Sequence, residues 1–246
     1  MSLPPIRRQV LVPAPADRAF DVFTERIGTW WPVARHSVYG AGATPAFRDG
    51  QLIETGPAGD EVPWGTVLDW EPPRLLRLTW HPGYEAERAS EVEVSFSPVT
   101  DTLTMVTLTH RGWERFPDPQ AAREEYRNGW PLVLGGYAAD VPAEAQKDGE
   151  VWLVLTYTPA AGVGRPVDHP DFAGHPQFLH RLQQRGVLVA AGPFPASGEG
   201  MTVVRVPAGE VGDLLDEANR HDTSVSRGVL EVQVRPWRVM VTGQRS

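Results

Sequence analysis

Apolar and polar positions alternate with period two through the middle of the first half of this chain. Val62, Trp64, Thr66, Leu68 and Trp70 are separated by polar or small residues, as are Leu76, Leu78 and Trp80, while Val92, Val94 and Phe96 interleave with Glu91, Glu93 and Ser95. One apolar side at this period marks half-buried antiparallel strands, with Pro72-Pro73, Gly83 and Thr100-Asp101 as their turns. Glu91 and Glu93 then lie on the solvated face. Residues 7–12 predict an earlier strand, and 102–110 a last one, apolar on both faces, whose even phase carries Val106, Leu108 and His110. Two helices complete the pattern. The first covers 15–23, with Phe20 and Phe23 on one face. The second is placed at 130–140, because Asn128-Gly129 is a natural break and proline, here Pro131, belongs in a first turn.

An open antiparallel sheet closing around one long helix leaves a cavity unless large side chains plug it. Trp64, Trp80, Phe96, Leu108, His110, Trp130, Val133, Leu134 and Tyr137 are the side chains expected to line it. Wide rings with one polar atom commonly line apolar ligand pockets. The competing reading is that the tryptophans simply pack and that His110 is a satisfied core histidine.

The pattern changes at 142–150, a polar stretch without periodicity that reads as a linker between a domain over 1–141 and another over 151–246. The second half runs strand 151–157, helix 174–185, strand 187–192, strand 201–206, helix 208–220 and strand 229–240. That βαββαβ order is a ferredoxin-like plan, so the chain is expected to be α+β in both halves.

Composition narrows the function. Cysteine is absent from the 246 residues, which removes disulfides and thiolate sites and fits a cytoplasmic location. A net charge of −8 works against a nucleic-acid surface. The first twenty residues lack the apolar core of a signal peptide, and no apolar run reaches the roughly 20 residues of a membrane span. Gly-rich pieces at 39–42 and 161–164 follow no phosphate-loop pattern, and no cofactor is implied. His169, His175 and His221 have no ligand spacing that supports a metal site.

The order APADRAFDVFT, GTWWP, WGTVLDWEPPRLLRLTWHPG, SEVEVSFSP, LTHRGWERF and NGWPLVLGGY over roughly 7–141 resembles the START-like or SRPBCC superfamily. The branch named after the activator of heat-shock-protein-90 ATPase is the nearest in pattern. The resemblance implies a helix-grip fold with a deep pocket for a small lipophilic molecule. It does not imply a reaction, since many functions share that fold. Chaperone-linked interaction is a further possibility, resting on the branch name alone.

Two segments of the second half, GHPQFLHRLQQRGVLVAAGPF at 174–194 and HDTSVSRGVLEVQVRPW at 221–237, resemble the YCII-related family. His175 stands eleven residues before Gly186, and Asp222 six before Gly228; the family usually continues its aspartate with proline, where this chain has Thr223. The resemblance implies a dimeric α+β barrel, a homodimer through the carboxy-terminal domain, and a His175/Asp222 active pair. Independently of it, a histidine at a helix amino terminus is kept available as a base by the macrodipole, and a carboxylate fixes its tautomer. The bland alternative is a capping histidine with a turn aspartate. Ligand binding by the first domain and acid–base chemistry by the second are the two functional hypotheses.

Overall fold

The computed structural model describes residues 3–142, 149–195 and 197–240. The chain divides into two compact units, 1–145 and 146–246. The stretch read as a linker lies for the most part outside the described residues.

The first unit is built on β1 (Ile6–Val12), β2 (Thr44–Arg48), β3 (Gln51–Thr55), β4 (Glu61–Glu71), β5 (Leu75–Trp80), β6 (Ser90–Thr100) and β7 (Leu103–Arg111). They form one antiparallel sheet in the order β1-β7-β6-β5-β4-β3-β2. Helices α1 (Ala16–Glu25), α2 (Ile27–Trp30) and α3 (Pro119–Asp140) supply the rest of its core. Phe20 and Phe23 of α1 pack on Phe96 of β6 with ring centroids 5.2 and 5.6 Å apart, and Tyr137 of α3 closes on Phe23 at 5.1 Å. A large antiparallel sheet with helices on it is the α+β architecture expected of a helix-grip domain.

Two local expectations fail, each for a physical reason. The even-numbered phase of β4 does not hold to its end: the pairing slips between Val67 and Asp69, so Val62, Trp64 and Val67 reach the core while Leu68 is left 44 % exposed and Trp70, though its ring meets Phe20, is 43 % exposed. Asp69 is thereby turned to the ion pair with Arg77. Gly65 sits just before this slip, where an added Cβ would lie 1.7 Å from the Thr79 carbonyl oxygen, so only glycine lets the strands approach.

The second failure is the start of α3, which begins at Pro119, eleven residues earlier than expected. Asp118 caps it by accepting from the Ala121 N–H at 3.0 Å, with Pro119 in the first turn. Pro131 is therefore interior and leaves the Arg127 carbonyl without its helical donor. The Arg8 guanidinium from β1 fills that gap, donating to Arg127 O at 3.2 Å.

The second unit runs β8 (Glu150–Pro159), α4 (Gly174–Gln184), β9 (Leu188–Pro193), β10 (Gly200–Pro207), α5 (Val211–Asp216), a π-helical turn (Glu217–His221), α6 (Thr223–Ser226) and β11 (Leu230–Pro236). Its sheet is antiparallel in the order β11-β8-β10-β9. Val151, Leu153, Leu155 and Tyr157 of β8 alternate inward and pack with Phe178, Leu182, Val211 and Leu214 in the buried interior.

Candidate functional site

Two cavities carry the candidate residues, one in each unit. The first, of about 240 Å³, lies between the sheet and α3. Of the nine residues expected to line it, Trp64, Trp80, Trp130 and Val133 do so. Trp31 and the segment Arg35–Val38 also line it, together with Tyr84, Phe116, Glu125 and Tyr126 among others, and nothing in their periodicity signalled them. Trp31, Trp64, Trp80 and Trp130 cluster with centroid distances of 5.0 to 6.2 Å. Trp80 Nε1 is buried and makes no hydrogen bond.

The other five candidates lie outside the cavity lining. Phe96, Leu108 and Leu134 are buried in the core, and Tyr137 donates its hydroxyl hydrogen to the Ala19 carbonyl at 2.8 Å. His110 is fully enclosed. Trp130 Nε1 donates to its Nδ1 at 3.2 Å, which leaves the proton on Nε2, 2.7 Å from Ser90 Oγ, and Ser90 in turn donates to the Trp80 carbonyl at 2.9 Å. With both nitrogens engaged, burial pushes its pKa down to about 3.

Glu54 was missed by the sequence reading. It is fully buried and accepts from Val38 N, Tyr39 N and Trp64 Nε1 at 2.8 to 2.9 Å, tying the segment over the cavity to the sheet. The signal was available: Leu52 and Glu54 share one face of β3, and an inward acid two residues from a buried leucine needs donors around it.

In the second unit the sequence pair comes together. His175 occupies the second position of α4, after a 3-10 turn at Pro170–Ala173. Asp222 is delivered by the π-helical turn, whose extra residue shows as a bond from Asp222 N to Glu217 O at 3.2 Å. One carboxylate oxygen of Asp222 accepts from Ser224 N at 3.0 Å and caps α6, and the other lies 2.7 Å from His175 Nδ1. Because the carboxylate accepts, Nδ1 carries the proton and Nε2 presents its lone pair. Asp222 is fully buried and the His175 side chain is 14 % exposed.

The approach of the two chain segments is close by construction. An added Cβ on Gly174 would fall 1.8 Å from Thr223 Oγ1, and the Ser224 hydroxyl donates to the carbonyls of Asp171 and Phe172 at 3.1 Å. Thr223, the departure from the expected Asp-Pro, is thus the residue that fits against Gly174. His175 also sits on Tyr157 and Phe172, and all three line a cavity of about 540 Å³ whose wall is largely apolar. His169 is occupied otherwise, accepting from Asp171 N, and among the described residues no group of three or more His, Asp or Glu could hold a metal ion. Nor is any described helix long and apolar enough to cross a membrane.

With this geometry in hand, comparison with known proteins adds the following. The model of the family described as activator of Hsp90 ATPase homolog 1-like protein matches residues 13–137, and the carboxy-terminal unit lies outside that match. Among solved structures the chain is similar to CalC, a self-sacrificing resistance protein from Micromonospora echinospora, at 25 % identity over 56 % of this chain and 94 % of that one, with a TM-score of 0.44. It is similar at 28 % identity to Txn09, an anthrahydroquino-gamma-pyrone synthase, over 56 % of this chain and 97 % of that one (TM-score 0.39). CalU16 from Micromonospora echinospora is 21 % identical over 58 % of this chain and 76 % of that one (TM-score 0.36). No curated protein matches the chain.

Proposed function

The chain belongs to the family of activator of Hsp90 ATPase homolog 1-like proteins through residues 13–137, and from that premise we propose that it binds small, predominantly apolar molecules. The observation that carries this reading is the aromatic-walled cavity under α3. At about 240 Å³ it falls below the roughly 300–1,000 Å³ of drug-sized sites, so its occupant is compact. Trp64, Trp80, Trp130 and Val133 are the proposed ligand contacts. Phe96, Leu108, His110, Leu134 and Tyr137 stand behind that wall and hold it rigid. Native mass spectrometry of molecules that co-purify with the chain tests this: Val133→Phe, which fills the cavity, is expected to arrive empty. Identical small-molecule content in both proteins overturns it.

A second reading is favoured by the His175–Asp222 contact inside a cavity of usual ligand size. In it, the carboxy-terminal unit is an acid–base enzyme, with His175 as base and acid and Asp222 as the group that orients and stabilises its imidazolium. The order β11-β8-β10-β9 supports assigning this unit to the ferredoxin-like, YCII-related class. Homodimerisation through this unit is part of the same proposal, supported by exposed Trp237 set edge-on against Trp152; the mass in solution, compared with that of Trp237→Asp, tests it. A cytoplasmic setting agrees with the absence of cysteine.

A further inference from the structure

Tyr157 ends the inward stripe of β8 in the wall of the larger cavity, its ring edge-on to His175 with centroids 4.5 Å apart. The residue is 2 % exposed; the Thr202 side chain beside it can donate to the phenolic oxygen, which favours the phenolate slightly, while the hydroxyl hydrogen has no acceptor. A buried donor without an acceptor destabilises a fold, and a bound molecule that brings an acceptor relieves it. The acceptor is not an anionic head group: the one cationic side chain in the lining, Arg165, is mostly exposed and pairs with Asp168 at 3.5 Å.

The geometry points to a site for a small apolar molecule bearing one ketone-type carbonyl, in which Tyr157 donates its hydroxyl hydrogen to the carbonyl oxygen and His175 Nε2 meets the carbon beside it. This rests on the acid–base reading of His175 and Asp222 and adds to it the substrate class and an oxygen-anchoring residue. Burial, with the nearby Asp222 charge adding to it, raises the pKa of Tyr157, so it remains a donor at every physiological pH. The step is a proton shift. His175 Nε2 takes the proton from the carbon next to the carbonyl, the C–H pair becomes a C=C bond, and the carbonyl π pair moves onto oxygen, where Tyr157 holds it. Asp222 stabilises the imidazolium until it returns the proton to the same carbon or to the far end of a conjugated system. Nothing is oxidised or reduced, and no group leaves.

The test uses the full chain with 2-tetralone and tetralin, a ketone and the hydrocarbon of the same shape. Calorimetric titration is expected to give the ketone a tenfold or greater advantage, which Tyr157→Phe reduces to less than twofold while its Tm stays equal or rises. In deuterium oxide, NMR should show uptake beside the carbonyl at least tenfold faster than in buffer, slowed tenfold or more by Tyr157→Phe and abolished by His175→Ala. Equal affinities for the two probes, binding of neither, or a ketone preference that survives Tyr157→Phe overturns the assignment of Tyr157. A preference that depends on Tyr157, together with exchange unaffected by His175→Ala, overturns the acid–base reading and leaves the oxygen anchor standing.

Discussion

The amino-terminal unit buries Trp30, Trp31, Trp64, Trp80, Trp113 and Trp130 and has its candidate pocket of about 240 Å³ among four of them, whereas the candidate pocket of the smaller carboxy-terminal unit measures about 540 Å³. Their polar atoms differ in the same sense. In the first unit Glu54 is satisfied by three N–H donors and His110 by Trp130 and Ser90, although Trp80 Nε1 is buried without a hydrogen bond of good geometry. The second unit has only half-satisfied its polar groups: Asp222 is spent on His175 Nδ1 and Ser224 N, while Nε2 and the Tyr157 hydroxyl make no bond in the cavity they line. A polar group completed by its own fold stabilises that fold, and one left for a visitor serves binding or chemistry at a cost in stability.

The largest effect expected of any single change falls on the fuller unit. Gly65→Ala forces a methyl against the Thr79 carbonyl and should cost on the order of 4 kcal/mol or more, read as loss of the near-ultraviolet tryptophan signal; a normal spectrum breaks the account of the strand slip. His110 comes next. Its pKa is lowered in the fold, from 6.5 to about 3, so the stability it contributes is complete above pH 6.5 and is lost as pH falls toward 3. The slope approaches about 1.4 kcal/mol per pH unit and totals on the order of 5 kcal/mol. Urea midpoints at pH 7, 6 and 5 should fall accordingly, and His110→Gln should flatten that dependence whatever its absolute stability. In the hollow unit, Gly174→Ala should push α4 away from Thr223 and part His175 from Asp222, costing about 2 kcal/mol and removing the hydrogen-bonded Nδ1–H resonance from the proton NMR spectrum; an Nδ1–H signal unchanged in the variant counts against the close approach. The smallest effect is reserved for Arg8→Ala, which strips the Arg127 carbonyl of its donor and should cost about 1 kcal/mol, detected as faster amide exchange around Pro131.

Much of both units was legible from residue order because strand periodicity and helix caps act over a few positions. The phases of β5 and β6 follow from alternation alone, and His175 and Asp222 were singled out by the resemblance of their two segments to the YCII-related family. The start of α3 was not. Proline in a helix interior is locally forbidden, and it becomes tolerable here through an arginine more than a hundred residues away in sequence. The even phase of β4 was misjudged because a one-residue slip leaves no mark in a pattern of apolar letters. Glu54 and Tyr157 were readable as polar tips on inward stripes, yet neither stripe tells what its polar end meets.

The order of amino acids by itself determined the α+β character, most of the strands and the aromatic richness of the first half, since helix and strand periodicity depends on interactions within a turn or between neighbouring positions. Only the tertiary structure decided which tryptophans border space and which fill it, that His110 is sealed and His175 open, and that Tyr157 stands unpaired beside the dyad. Those outcomes depend on how volumes and hydrogen-bond partners from distant segments add up at one point, and that sum exists only once the chain is folded.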